Sequence, residues 1–136
     1  MPGPRVYTIE EVQELVPELE RAFGRIDAIR EELAELHVRI GALELIWGDA
    51  VHEKANPDHG EFVHHVARMK VLQDEVETIT SGVNELSGEV KSVEPPLVDF
   101  YGVREGRLVH WCWTRGEKKI EHWHHVDAGF AERQPV

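Results

Sequence analysis

Residues 8–47 read TIEEVQELVPELERAFGRIDAIREELAELHVRIGALELIW. Thr8 followed by Glu11 has the spacing of a capping box, in which a hydroxyl and a carboxylate each satisfy an orphan backbone donor. Behind it, apolar residues return every seven positions in two columns. One is Val12, Leu19, Ile26, Leu33, Ile40 and Trp47; the other is Leu15, Ala22, Ile29, Leu36 and Leu43. No polar residue breaks either column, so the stretch predicts one helix over 8–47 with a coiled-coil seam and a left-handed supercoil. Pro17 should bend this helix, Gly24 and Gly41 weaken it, and Gly48 stop it.

A second helix is predicted over 57–88. Asn56 can cap it, Pro57 suits its first position, and Gly88 is a plausible end. Its seam would be Phe62, Met69, Val76 and Val83 beside His65, Leu72, Ile79 and Leu86. The short connection makes the two helices an antiparallel, coiled-coil-like hairpin. Val16, Phe23 and Ile46 lie beside the seam. A homodimer closing a four-helix bundle would cover them, and so would the C-terminal third.

Pro95-Pro96 breaks the helical pattern and predicts a small antiparallel β element over 95–136. Leu97-Val98-Asp99-Phe100 reads as a short strand or turn. Arg107–Trp113 and Ile120–Val126 alternate as strands do. Thr114-Arg115-Gly116 between them would be a three-residue hairpin loop, with Trp113 opposite Glu117. The fold class is α+β, mainly α, in one domain over 1–136.

The net charge of −11 is uneven. Residues 1–56 hold six basic and twelve acidic groups, 57–96 three and eight, and 97–136 six and six. An acidic helical surface repels phosphate backbones, which argues against a nucleic-acid partner. No apolar run reaches the ~18 residues a membrane helix needs. Met1-Pro2-Gly3-Pro4-Arg5 has no apolar segment after a basic one, so no signal peptide is predicted and a cytoplasmic location follows. One cysteine, Cys112, excludes an internal disulfide. It is a buried small hydrophobe, a metal ligand or a reactive thiol.

Four of the nine histidines fall after residue 96. In the expected hairpin Leu108, His110, Cys112, Ile120, His122 and His124 share one face, and Val109, Trp111, Trp113 and Trp123 the other. Three imidazoles and a thiol on one face suit a soft metal ion, whereas moving the turn by one residue would disperse them. His122-Trp123-His124-His125 followed by Asp127 is the densest ligand-like run. His122 and His124 point the same way, with Glu117 or Asp127 to complete the shell or orient an imidazole. Exposed strand histidines alternating with buried tryptophan would account for the same run without a metal.

The helices hold a second candidate. His65 faces inward, Glu61 stands one turn before it, and Glu44 and His37 flank the seam of the first helix, as in di-metal four-helix proteins. A buried histidine that sets helix register is the competing explanation. No Gly-rich phosphate loop or nucleophile elbow is present.

Tyr7-Thr8-Ile9-Glu10-Glu11 with Pro17-Glu18-Leu19 resembles the opening of a prokaryotic family catalogued as domain of unknown function 2203. So do Leu97-Val98-Asp99-Phe100, Cys112-Trp113 with Gly116-Glu117, and the ending Trp123-His124, Asp127, Gly129-Phe130 and Arg133-Gln134-Pro135. The resemblance implies a stand-alone cytoplasmic protein and supplies no established activity. Asp99, Cys112, Glu117, His124, Asp127 and Arg133 match its motif positions; His110, His122 and His125 do not map to it.

Three functions follow from these readings. The first is a metal-binding protein with a site at His122, His124, Glu117 and Asp127, taking zinc, iron or nickel, with hydrolytic and redox chemistry both open. The second is a non-enzymatic interaction module whose acidic, dimeric helical hairpin meets a protein partner. The third is a redox sensor working through Cys112.

Overall fold

A computed structural model describes residues 4–136. Met1-Pro2-Gly3, part of the stretch read for a leader, lies outside them. Helix α1 (Ile9–Trp47) starts on the expected capping box: the Glu11 N–H donates to Thr8 Oγ1 at 3.1 Å, and the Thr8 N–H to Glu11 Oε1 at 2.8 Å. The helix continues through Pro17 and ends at Gly48, whose φ of +57° opens a 3-10 turn, Gly48–His52. Helix α2 (His59–Glu85) begins two residues later than the sequence predicts. Asn56 Oδ1 accepts the Asp58 N–H at 2.8 Å, so Asn56-Pro57-Asp58 forms a side-chain-closed turn ahead of the helix. It also ends earlier, with Ser87 in the left-handed region.

The described chain falls into two compact units. In Arg25–Thr78, Ile40, Leu43, Val51 and Phe62 bury one another with Met69 against them. Arg25 binds Glu75, and Arg68 binds Glu32. His65 is buried and its Nε2 lies 3.2 Å from Glu61 Oε1. Glu44 and His37 are exposed.

The other unit joins the start of α1, up to Gly24, to Ile79–Val136. It holds a five-stranded antiparallel sheet in simple chain order: β1 (Gly88–Val93), β2 (Pro96–Arg104), β3 (Arg107–Thr114), β4 (His122–His125) and β5 (Gln134–Pro135). The sheet therefore begins at Gly88, ahead of the expected 95, and Pro95 sits in the turn of its first hairpin. Leu97–Phe100 is part of a nine-residue strand. The β2–β3 turn is Glu105-Gly106, with φ of 53° and 77°, the mirror-image turn whose twist matches that of paired strands.

The expected three-residue loop is replaced by a longer connection over 115–121. Glu117 folds back on the end of β3: its Oε1 accepts the Thr114 N–H at 2.8 Å, and its carbonyl accepts the Trp113 indole N–H at 3.0 Å. Trp111 pairs with Trp123 and Cys112 with His122. This register is displaced by an even number of residues from the expected one, so the β4 side chains keep their faces, while Ile120 falls in the connection.

Val98, Phe100, Val109, Trp111, Trp113 and Trp123 are buried. Phe23 packs on Trp113 at 5.7 Å between ring centroids, and Tyr7 meets Phe100 edge-on at 5.5 Å. Val16 is buried as well. Two of the three residues left beside the helical seam are therefore covered within this unit, while Ile46 is 68% exposed. Gly102 has a steric role: a Cβ there would stand 1.9 Å from the Trp111 indole nitrogen, which donates to the Tyr7 carbonyl.

Candidate metal centre

The face of the sheet opposite the tryptophans carries the polar residues. Cross-strand pairing sets Asp99 beside Cys112, Cys112 beside His122, Tyr101 beside His110, and His110 beside His124. Alternation along each strand then puts Asp99, His110, Cys112, His122 and His124 on one surface. Asp99, His110, Cys112 and His124 are all buried there.

One donor atom each from Asp99, Cys112 and His124 lie within 4.8 Å of one another. His124 Nδ1 stands 2.8 Å from the His125 carbonyl, which can only accept, so Nδ1 carries the proton and the neutral ring keeps its lone pair on Nε2. That Nε2 faces Asp99 Oδ2 at 3.1 Å. A lone pair facing a carboxylate at this distance calls for a positive centre, either a proton or a cation. A backbone carbonyl that fixes the tautomer while the other nitrogen meets a ligand set is the usual support of a metal-bound histidine.

Burial, reinforced by the Asp99 carboxylate, pushes the Cys112 thiol up to about 12. Without a cation it is a protonated, enclosed S–H, 2% exposed. This speaks against the redox-sensor expectation, since a buried thiol with almost no thiolate is a poor nucleophile. The same thiol becomes a strong ligand once a metal displaces its proton.

His110 completes the wall. Neither of its ring nitrogens has a hydrogen-bond partner, and Nδ1 is 3.9 Å from Asp99 Oδ2. Burial pushes its pKa down, with the Asp99 charge opposing. Over the cluster lies a cavity of about 220 Å³, lined also by Leu97, Val126 and Phe130.

The four ligands expected from the sequence do not meet in one place. His124 belongs to the Asp99–Cys112 group. His122 and Glu117 belong to a second group with Glu121, where His122 Nδ1 lies 3.3 Å from Glu117 Oε2. Burial raises the pKa of Glu117. Asp127, exposed in the turn after β4, belongs to neither group. His65, Glu61, Glu44 and His37 do not form a third among the described residues. Asp99 is the member of the group that residue spacing alone misses, because β2 meets β3 only through the sheet, whereas Cys112 stands on the face that alternation assigns to it beside His110 and His124.

The fold and the cluster define an α+β protein with a metal-capable Asp–Cys–His centre on the outer face of an antiparallel meander. The chain belongs to the family described as "Uncharacterized conserved protein (DUF2203)", whose model matches residues 5–136. No curated protein and no solved structure gives a significant match. No helix among the described residues is long and apolar enough to cross a membrane.

Proposed function

We propose that this protein binds a divalent transition-metal ion through Asp99, Cys112 and His124. The observation that carries the reading is the His124–Asp99 contact, Nε2 at 3.1 Å from a carboxylate oxygen with a buried thiol alongside. Carboxylate, thiolate and imidazole together suit zinc, iron or nickel. Three protein ligands beneath a cavity are the arrangement of sites that leave a position open for water or substrate. Such an ion would supply Lewis acidity or a hydroxide at neutral pH, or electrons if it is iron. Around it, the carbonyl of His125 holds His124 in one tautomer, and the sheet fixes Asp99 and Cys112 side by side. A reducing, cytoplasmic setting fits a lone unpaired thiol.

The group of Glu117, Glu121 and His122 takes second place. Glu121 is exposed, His122 is half-buried, and Glu117 already accepts the Thr114 N–H. It would serve at most as a weaker site.

Elemental analysis of untagged protein tests the proposal. About one equivalent of a transition metal is expected, falling below about a tenth in both Asp99→Asn and Cys112→Ser. Wild-type protein that takes up no metal after dialysis against zinc or ferrous iron would defeat it.

A second reading, favoured by a different observation, is a protein-interaction module. Val38, Leu45, Ile46, Val63, Val66 and Val71 of the helices are all more than 40% exposed. If α1 and α2 act as an antiparallel hairpin, a second copy of the chain closing a four-helix bundle would bury such residues. Sedimentation equilibrium decides between monomer and dimer.

A further inference from the structure

The cavity over the centre has its own chemistry. Its volume is about 220 Å³, below the range of drug-sized sites, and Leu97, Val126 and Phe130 give it apolar walls. One polar group on its wall lacks a hydrogen-bond partner, and one cation stands beside it, stacked on the lining residue Phe130. His110, 6% exposed, lines the cavity with both ring nitrogens unbonded, and an unmet buried donor is costly until something arrives to meet it. The Arg133 guanidinium stacks on the Phe130 ring, 3.8 Å from its centroid, and forms no ion pair with a carboxylate among the described residues. Lys91 also lines the cavity, but Glu89 neutralises it at 2.6 Å.

Charge arithmetic then restricts the guest. A dication held by one carboxylate and one thiolate is neutral, which leaves the Arg133 cation unbalanced. One negative charge on the guest balances it, whereas a doubly charged phosphate would overshoot in a half-enclosed, apolar site. The walls call for hydrocarbon, and His110 and Arg133 call for a head with more than one acceptor oxygen.

We infer that the cavity binds a small monocarboxylate, its head group at the ion's free position within reach of His110 and Arg133 and its short hydrocarbon tail against Leu97, Val126 and Phe130. This rests on the metal reading above. His110 is a binding group in this scheme and the ion keeps its three ligands without it.

Cobalt(II)-loaded protein gives a readout independent of any activity, because its visible bands report the ligands around the ion. Butyrate should shift those bands saturably, while butyramide and inorganic phosphate bind at least about tenfold more weakly, the factor expected for one lost charge-assisted contact. Arg133→Gln should weaken butyrate by about tenfold or more, and Arg133→Lys should recover part of the loss. His110→Gln should weaken butyrate and retain the cobalt.

The inference is overturned if butyrate leaves the bands unmoved, if butyramide or phosphate matches it, if Arg133→Gln binds it as wild type does, or if His110→Gln loses the metal. The two failures are separable. Absence of a cobalt spectrum in wild-type protein removes the metal centre and the guest together, whereas an intact spectrum that ignores butyrate removes only the guest.

Discussion

Asp99 and His124 show how much a single contact can require. His124 Nε2 meets the Asp99 carboxylate at 3.1 Å, and turning the Nδ1–H toward Asp99 instead would cost its bond to the His125 carbonyl. Cys112 adds a pH signature. Its pKa is raised on folding from 9.0 to about 12, so the folded, metal-free protein holds that proton more tightly than the unfolded chain. The associated stability is present below pH 9 and is lost as the pH rises toward 12. Urea unfolding of chelator-treated protein should show this alkaline loss, and Cys112→Ser should show less of it. Metal uptake by the wild type should in turn release about one proton per ion near pH 7, measurable in weakly buffered solution. Gly102 is a steric counterpart. Gly102→Ala would drive a methyl into the Trp111 indole and should cost about 3 kcal/mol, read as a lowered urea midpoint.

At the scale of elements, two local devices can be tested apart from the site. Thr8→Ala removes the hydroxyl half of the α1 capping box and should destabilise the protein by about 1 kcal/mol. The Thr8 N–H, followed by Arg5, holds the Glu11 carboxyl below its usual range. That contribution is present above the ordinary carboxylate pKa and fades as the pH falls through the lowered one. In the β2–β3 turn, Glu105 occupies a position with φ of 53°, where asparagine is favoured. Glu105→Asn should raise stability by about 0.5 kcal/mol in the same urea assay.

At the scale of the whole molecule, metal binding and stability are linked. An ion at about 100 times its dissociation constant should add about 2.7 kcal/mol to the folded state. Zinc should therefore raise the melting temperature of the wild type and leave that of Asp99→Asn nearly unchanged; calorimetry with and without a chelator checks both.

Much of the architecture is legible in local pattern. The Thr8–Glu11 box, the stop at Gly48 and the opposite faces of Trp111 and His110 all follow from short-range periodicity, which acts within a few residues. The β4 register is less so, since Glu117 bonds back to Thr114 and Trp113 and lengthens the loop, a choice made by side-chain geometry. The face assignment survived because the displacement is even. By itself, then, the sequence determined the α+β class, the two long helices and the segregation of tryptophans from histidines. Only the tertiary structure decided that His124 meets Asp99 and Cys112, apart from His122 and Asp127. Strand pairing brings together residues distant along the chain, and no local spacing encodes which of them will be neighbours.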